Sequence, residues 1–145
     1  MEVGGVTVRV TSWEEARRAA TAVRREVFVE EQKIAEELET DEVNDARCWH
    51  AVAEMGGVPV GTARLFADGK VGRMAVVSKC RKTGLEKSML LALIDKAKRE
   101  GLKELHCEAQ TSAEAFWTKS GFVRTGEPYM NKEVNIEHVD MILRL

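Results

Sequence analysis

Residues 74–91 read MAVVSKCRKTGLEKSMLL and join an apolar strand pattern, a basic loop with one glycine and the start of a helix pattern. The first turn of a helix carries unpaired amides and a partial positive charge, and this arrangement binds phosphate groups. Basic side chains surround that point: Lys79, Arg81, Lys82 and Lys87. The GxxxxGK(S/T) and GxGxxG phosphate-binding patterns are absent. The segment predicts a site for a phosphate-bearing ligand, and an ordinary loop with solvated lysines is the alternative.

An acidic stretch runs from residue 30 to residue 45, and Lys33 is the only basic residue in its middle. Its acidic members are Glu30, Glu31, Glu36, Glu37, Glu39, Asp41, Glu42 and Asp45. A solvated loop or short helix is the simpler interpretation. The functional interpretation is an acidic rim that attracts a cationic substrate.

Alternating strands and helices must hold these two segments in place. Val6, Val8 and Val10 alternate with polar residues and predict a strand, and Ser12 with Glu15 forms a capping box that opens a helix. Further strands are expected at residues 48–55, 58–67, 70–77, 104–109, 122–125 and 139–145, with Gly56-Gly57 and Asp68-Gly69 as tight turns. Further helices are expected at residues 84–100 and, from a Thr111–Glu114 capping box, at residues 111–121. The order β-α-βββ-α-β-α-ββ predicts an α/β fold whose meander is followed by a crossover to a locally parallel strand.

Length and composition indicate one globular domain over residues 1–145. The chain has 22 Lys and Arg against 24 Asp and Glu, and 44% of its residues are hydrophobic. We expect no nucleic-acid partner, because such a partner favours a basic excess. The longest apolar run, residues 89–94, is far short of the roughly 20 residues of a membrane span, so we expect no membrane partner. The start MEVGGVTVRV shows no secretory pattern, and three scattered cysteines without a CxxC pair fit the reducing cytoplasm.

Five segments follow the patterns of one known family. Arg81-x-x-Gly84 is similar to the first part of an R/Q-x-x-G-x-G/A pyrophosphate loop, and AQTSAEAFWTKSGF at residues 109–122 resembles the pattern A-x-x-F-Y-x-x-x-G-F. The other segments are REVFVEEQKI at 25–34, VGRMAVV at 71–77 and VNIEHVDMIL at 134–143. Together they resemble the GNAT superfamily of acyl-CoA-dependent N-acyltransferases, and more narrowly its ElaA-like branch. The resemblance covers nearly the whole chain in the expected order.

The resemblance implies a mixed, mostly antiparallel, splayed sheet flanked by helices. Acyl-CoA is expected in the V between the central meander strand and the strand at residues 105–109. Backbone groups of residues 74–77 are expected to bind the pantetheine and the thioester carbonyl, and amides of residues 81–87 to bind the pyrophosphate. The cofactor-binding residues so implied are Met74, Ala75, Val76, Val77, Arg81, Lys82, Thr83, Gly84, Leu85, Glu86, Lys87, Gln110 and Phe116. No side-chain pair has a spacing typical of metal ligands, so no metal is expected.

The resemblance also implies a reaction, in which an acetyl group moves from acetyl-CoA to a primary amine by direct attack. Backbone amides would stabilise the tetrahedral oxyanion. Glu108, on one predicted strand face with His106 and Gln110, is the candidate base, and a surface or paired carboxylate is its alternative role. The residues expected in the acceptor pocket are Phe28, Gln32, His50 and His138, with core packing or hydrogen bonding within the sheet as the alternative. The acceptor is expected to be a small-molecule or peptide amine, cationic if the acidic stretch forms a rim, and a homodimer is possible because many relatives dimerise.

Two residues depart from the family pattern. Glu86 stands where the loop has Gly or Ala, and Thr83-x-x-Glu86 reads as a capping box, so we hypothesise that Glu86 folds back onto the helix start and occupies the anion site. Trp117 stands where many relatives have a Tyr that protonates the leaving thiolate, and Tyr129, the only tyrosine, is the candidate substitute. These departures favour a second interpretation, a degenerate GNAT domain that acts as a non-catalytic binding module. In a third interpretation, the basic loop side chains replace the lost amide contacts to CoA.

Overall fold

The computed structural model describes residues 2, 3, 5–39 and 41–145, and it contains two β-sheets covered by helices. The strands are β1 (Glu2–Val3), β2 (Val6–Thr11), β3 (Cys48–Met55), β4 (Val58–Phe66), β5 (Val71–Val76), β6 (Glu104–Gln110), β7 (Val123–Arg124), β8 (Tyr129–Asn131) and β9 (Ile136–Arg144). The helices are α1 (Trp13–Arg24), a π-helix (Arg25–Glu31), α2 (Glu36–Glu39), α3 (Glu42–Asp45), α4 (Leu85–Arg99) and α5 (Glu114–Lys119). Short 3-10 turns lie at Ser78–Cys80 and Thr111–Ala113.

Both sheets are antiparallel. The first has the order β1-β2-β3-β4-β5, and the second has the order β6-β9-β7, with β8 also paired to β9. The pairing of β4 with β5 shifts register between Thr62 and Arg64. In the same stretch of β5, Arg73 has a φ of 49°, which is unusual for a residue with a Cβ. Strand β5 is therefore irregular at this point.

The two sheets meet at one end of β5 and β6 and diverge from there. An isolated parallel bridge joins Lys70 to His106, and the His106 amide donates to the Gly69 carbonyl at 3.0 Å. Gly69 has a φ of 99°, and a Cβ there would lie 2.4 Å from the Glu104 carbonyl oxygen, so the junction requires glycine. The predicted parallel pair is thus a single bridge. The splayed, mainly antiparallel α/β fold with flanking helices is confirmed.

Helix α1 begins as predicted but continues in an unexpected form. Ser12 is its N-cap, and the Ser12 hydroxyl accepts a hydrogen bond from the Glu15 amide at 3.4 Å. After residue 24 the chain forms a π-helix, in which the Gln32 amide donates to the Val27 carbonyl five residues back at 2.9 Å. The wider turn lets two adjacent side chains, Val27 and Phe28, both reach the core. The apolar spacing at residues 23 and 27 also fits an α-helix, so it did not predict this change.

Helix α4 packs its apolar face on the first sheet, as its pattern predicted. Its buried residues are Leu85, Met89, Leu90, Leu93 and Ala97. They join one core with the inward side chains of both sheets. This helix therefore fixes the loop before it against the diverging strands.

Several local predictions near the C-terminal end were wrong. The Thr111 hydroxyl donates to the Glu137 carboxylate at 2.8 Å instead of capping a helix, and α5 begins only at residue 114, after an N-cap without a side-chain hydrogen bond. The last strand begins at Ile136 rather than at Val139. Tyr129 lies on the added strand β8, which occupies what was expected to be a loop.

The cysteines are core thiols. Cys48, Cys80 and Cys107 are free and buried. Burial raises the pKa of Cys48 to about 11 and the pKa of Cys107 to about 12. Among the described residues, no helix is long and apolar enough to span a membrane. Nor does that part of the chain bring three or more His, Cys, Asp or Glu side chains together in a group that could hold a metal ion.

Candidate active site

A cleft of about 850 Å³ lies where β5 and β6 diverge. One wall is the free edge of β5 at Met74, Ala75 and Val76, and the other is β6 from Cys107 to Gln110. This volume is within the range of small-molecule sites, which are commonly 300–1,000 Å³. Phe116 of α5 also lines the cleft, as the resemblance implied.

The first turn of α4 lies at one end of this cleft. Its N-cap is Gly84, with a φ of 84°, and the first amide to bond back is that of Ser88, which donates to the Gly84 carbonyl at 3.0 Å. No described residue accepts a hydrogen bond from the amides of residues 85–87. Unpaired amides at a helix start are an anion-binding arrangement. The first turn of α4 therefore has the unpaired amides on which the predicted phosphate site depends.

The proposed capping box at this helix does not form. Because Gly84 is the N-cap, Thr83 lies one residue too early, and its hydroxyl donates to the Cys80 carbonyl at 2.6 Å. Glu86 is instead half-buried and lines the cleft. Its carboxylate suits the positive end of the helix. The hypothesis that Glu86 caps the helix start was wrong, and its charge instead borders the cleft.

Arg81 is held by a partner across the cleft mouth. Its Nη1 and Nη2 donate to the two carboxylate oxygens of Glu31, each at 2.6 Å, and its Nε donates to the Val76 carbonyl at 3.0 Å. Hydrogen bonding from Arg81 lowers the pKa of Glu31. The arginine of the loop is therefore already paired with a carboxylate of the π-helix.

The other predicted loop residues are not in the cleft lining. Val77 is buried, and its amide donates to the Val60 carbonyl at 3.0 Å. Leu85 belongs to the buried face of α4, whereas the side chains of Lys82 and Lys87 are exposed. Lys82 has a φ of 63°, the left-handed conformation that favours glycine. The backbone at residue 82 therefore has a shape that suits glycine, although the residue there carries a side chain.

Polar side chains line the middle of the cleft. Gln110 donates from Nε2 to the Oε1 of Gln32 at 3.2 Å, which joins β6 to the end of the π-helix. His138 is the register partner of Gln110 and lines the cleft with Phe28. Three residues expected in the acceptor pocket, Phe28, Gln32 and His138, are thus brought together.

His50 does not lie with them. It is fully buried on β3, its Nε2 is 2.9 Å from the Asp45 carbonyl, and its ring packs on Trp13. Burial lowers the pKa of His50. His50 therefore has the packing role that was its alternative, and its placement in the acceptor pocket was wrong.

The two residues proposed for proton transfer are both engaged elsewhere. Glu108 accepts from the Lys70 ammonium at 3.0 Å beside the strand junction and lines the cleft at that end. Tyr129 is outside the cleft lining, and its hydroxyl donates to Asp140 at 2.8 Å. Burial and this hydrogen bond raise the pKa of Tyr129 well above its usual range. Trp117 is buried and packs edge-on against Phe116 and Phe122, and it also borders the cleft.

Sequence reasoning missed a cluster of buried charges beneath the part of the cleft lined by Asp41 and Arg64. Asp45 accepts from Arg24 and from Arg64, each at 2.9 Å, and Arg64 also pairs with Asp41 at 3.1 Å. Glu39 is buried 3.9 Å from Arg24, and burial raises its pKa. Residues 36–39 and 42–45 of the acidic stretch form short helices, in agreement with the simpler interpretation. Most of its carboxylates are exposed, whereas Glu39 and Asp45 are buried. The members that form ion pairs within the chain are Glu31, Glu36, Glu39, Asp41, Glu42 and Asp45.

The fold and the cleft together are those of an acyl-group transferase, and the sequence agrees. The chain matches the family described as Acetyltransferase (GNAT) domain over residues 12–145 and belongs to that family. YjcF of Bacillus subtilis, named an uncharacterized N-acetyltransferase, is 32% identical over 133 residues, which are 89% of this chain and 93% of that protein.

Solved structures agree on the fold. An acyl-CoA N-acyltransferase from Pseudomonas aeruginosa has a TM-score of 0.81 and 25% identity, covering 95% of this chain and 99% of that one. Escherichia coli ElaA has a TM-score of 0.82 at 18% identity, again covering 95% and 99% of the two chains. The resemblance to ElaA is therefore confirmed as a shared fold. Family and fold assign the chain to the acyltransferases.

Proposed function

We propose that the protein is an N-acetyltransferase that moves the acetyl group of acetyl-CoA to a primary amine by direct attack. The cleft is the observation that carries the proposal. It combines unpaired amides at one end, a strand edge along one wall and polar side chains in the middle. A long acyl-CoA needs these in this order, for its pyrophosphate, its pantetheine and its reacting thioester.

The residues present fit CoA over most of its length. The amides of residues 85–87 would bind the pyrophosphate at the positive end of α4. The β5 edge at Met74 and Ala75 would hold the pantetheine, with Phe116 along the thiol end. The carbonyl oxygen of Val76 is less available to the pantetheine, because it already accepts a hydrogen bond from Arg81 Nε. Donors on the β5 edge would also stabilise the oxyanion formed by direct attack.

A non-catalytic CoA-free binding module is the second candidate, and Glu86 is the observation that favours it. Its carboxylate lines the cleft beside the unpaired amides. A like charge near a pyrophosphate costs on the order of 1–4 kcal/mol at partly exposed separations. Arg81 does little to offset this repulsion while it is paired with Glu31. The two candidates therefore differ first in whether CoA binds at all.

Calorimetric titration with acetyl-CoA and with free CoA separates these candidates. The variants are Glu86→Gln, which removes only the charge, and Glu86→Gly, which also removes the side chain. Glu100→Gln, which lies just beyond the other end of α4, is the matched control. We expect micromolar binding to the wild type, an affinity gain of about 5–30-fold in Glu86→Gln, and no change in the control.

Two outcomes would change the proposal. Wild-type protein that does not bind millimolar CoA, with binding restored in either Glu86 variant, would favour the binding module. Absence of binding in all variants would overturn the CoA site itself.

The acceptor is proposed as a small-molecule or peptide amine. A preference for cations has less support than the sequence suggested, because the paired carboxylates of residues 31–45 are largely neutralised by arginines. A panel of primary amines with and without a second positive charge, assayed by thiol release, tests this preference. A homodimer and a cytoplasmic location remain predictions, and the free, buried thiols are consistent with the second.

A further inference from the structure

We propose that His138, through its Nε2 atom, is the general base that takes the proton from the acceptor amine. The inference rests on the proposed acetyltransferase function and assigns to His138 the role of base that was predicted for Glu108. Three observations support it: the face that His138 occupies, the hydrogen bond that its ring makes, and the engagement of the competing side chains.

His138 lies in a row of side chains that crosses the second sheet. It is the register partner of Gln110 on β6 and of Tyr129 on β8. Directly opposite residues of antiparallel strands lie on the same sheet face. Gln32 reaches this face from the π-helix and bonds to Gln110 at 3.2 Å. The imidazole is therefore next to the amide pair that lines the middle of the cleft.

The hydrogen bond of the ring selects its neutral tautomer. Nδ1 lies 2.8 Å from the Ile136 carbonyl oxygen, which can only accept, so Nδ1 carries the hydrogen. In a neutral imidazole the other nitrogen then holds a lone pair. No described residue donates to Nε2. Tyr129 stacks on the ring at 6.2 Å, and its hydroxyl is fixed by Asp140, so the ring orientation is supported from the β8 side.

The competing side chains are less suited to this task. Glu108 is ion-paired with Lys70 at the closed end of the cleft. His106 faces Asp68, 3.8 Å away, and does not line the cleft. Glu108 and Asp140 lie on the same sheet face as His138, two residues along β6 and β9, and Glu133 of the β8–β9 loop lines the same cleft. Tyr129 is the titratable group opposite His138 on β8.

The proton balance of the step is complete. The ammonium of the acceptor gives one proton to Nε2, and the ring becomes imidazolium. The neutral nitrogen attacks the thioester carbon, a C–N bond forms and the C–S bond breaks. The second N–H proton of the acceptor leaves with the thiolate sulfur as free thiol, and the imidazolium returns its proton to solvent.

Nitrogen chemical shifts of the imidazoles test the tautomer without turnover. The chain has three histidines, and His138→Gln assigns the signal. We expect a neutral ring with the hydrogen on Nδ1 and a bare Nε2. A neutral ring with its hydrogen on Nε2 would overturn the proposal.

Kinetics of variants then test the role. With an amine found in the panel, we expect His138→Gln to lose about 10²–10⁴-fold in kcat, while the dissociation constant for acetyl-CoA stays within a small factor. The acid limb of the pH–rate profile should disappear, and added imidazole should restore part of the rate in His138→Ala. His106→Gln, the same change on a neighbouring strand outside the cleft, should keep wild-type kinetics.

The failures of the two proposals are distinguishable. An active wild type with an equally active His138→Gln overturns the base and leaves the acetyltransferase in place. Loss of acetyl-CoA binding in parallel with kcat, without imidazole rescue, would mean that His138 is structural and would also overturn the base. A wild type that binds acetyl-CoA but acetylates no amine contradicts the proposed function, and the tautomer measurement still decides the state of the ring.

Discussion

Two ionic arrangements border the same cleft and differ in their exposure. Beneath the part of the cleft lined by Asp41 and Arg64, Asp45 joins Arg24 and Arg64, and the Arg24 and Asp45 side chains are 1% and 2% exposed. At the end beside the first turn of α4, Arg81 pairs with Glu31 through two hydrogen bonds, and these side chains are 37% and 43% exposed. The Asp45 cluster is buried, whereas the Arg81–Glu31 pair is partly exposed to solvent.

The difference in burial changes what each arrangement does. Solvent screens the Arg81–Glu31 pair, so breaking it costs little and a ligand can compete for its partners. The Asp45 cluster is desolvated, and Arg24 Nε, Arg24 Nη2 and Arg64 Nε have no hydrogen-bond partner among the described residues. Removing its carboxylate would leave two buried cations without their shared anion. The cluster therefore holds α3 against β4, and the exposed pair is free to adjust.

The largest expected effect is that of Asp45→Ala. The free energy of unfolding should fall by about 3 kcal/mol, because Arg24 and Arg64 stay buried and keep, among the described carboxylates, only Glu39, 3.9 Å from Arg24, and Asp41, 3.1 Å from Arg64. Urea denaturation measures the change. Glu42→Ala, in the same short helix but paired to the exposed Arg17, is the control and should change stability by less than about 1 kcal/mol. Equal losses in the two variants would remove the distinction between the regions.

The sequence could predict the parts of this comparison that depend on local pattern. Alternating valines, the Ser12 cap and the α4 face define strands and helices over short windows, and the resemblance then placed the cleft. The Asp45 cluster had no such signal, because its partners lie 21 and 19 residues away in the chain. An Asp in an acidic stretch resembles a solvated residue until the fold brings arginines to it.

Other predictions failed because a local sequence pattern does not show which contacts the fold will form. Thr83 had the spacing of a cap, but the left-handed Gly84 begins α4 one residue later. His50 and His138 were assigned together, and only the fold separates a core ring from one in the cleft. The π-helix buries both Val27 and Phe28, whereas the α-helical spacing of apolar residues accounts only for Val27.

The next effect concerns the backbone of the loop beside Arg81. Lys82 adopts a positive φ, which costs roughly 1–2 kcal/mol for a residue with a Cβ, so Lys82→Gly should stabilise the protein by about 1 kcal/mol. Thermal and urea unfolding measure this change. Lys79→Gly, the same substitution in the preceding 3-10 turn, is the control and should destabilise by about 0.5–1 kcal/mol. Destabilisation in both variants would show that strain is absent from the exposed region.

A smaller effect on stability, with a larger one on binding, is expected from Glu31→Gln. The free energy of unfolding should change by about 0.2–1 kcal/mol, because the pair is exposed. The freed Arg81 should raise CoA affinity by several-fold at low salt, and the gain should fade at high salt as exposed charges are screened. Glu30→Gln removes the neighbouring charge and leaves the pair intact. Equal affinity gains in both variants, or a gain that is insensitive to salt, would contradict a specific role for the pair.

The smallest expected effect is on the pH dependence of the free energy of unfolding. Its sign should be opposite for Glu31 of the exposed pair and for Glu39 of the buried cluster. The pKa of Glu31 is lowered by Arg81, so its stabilisation is present above the ordinary value of 4.5 and is lost as pH falls through its folded pKa. The pKa of Glu39 is raised by burial, so its contribution turns unfavourable as pH rises above 4.5. Urea unfolding of Glu31→Gln and Glu39→Gln over a pH series measures both. Relative to each variant, the wild type should lose stability on acidification in the first case and gain it in the second, by about tenths of a kcal/mol for the screened Glu31. Slopes of the same sign would mean that burial does not separate the two carboxylates, and the contrast between the regions would then rest on Asp45 alone.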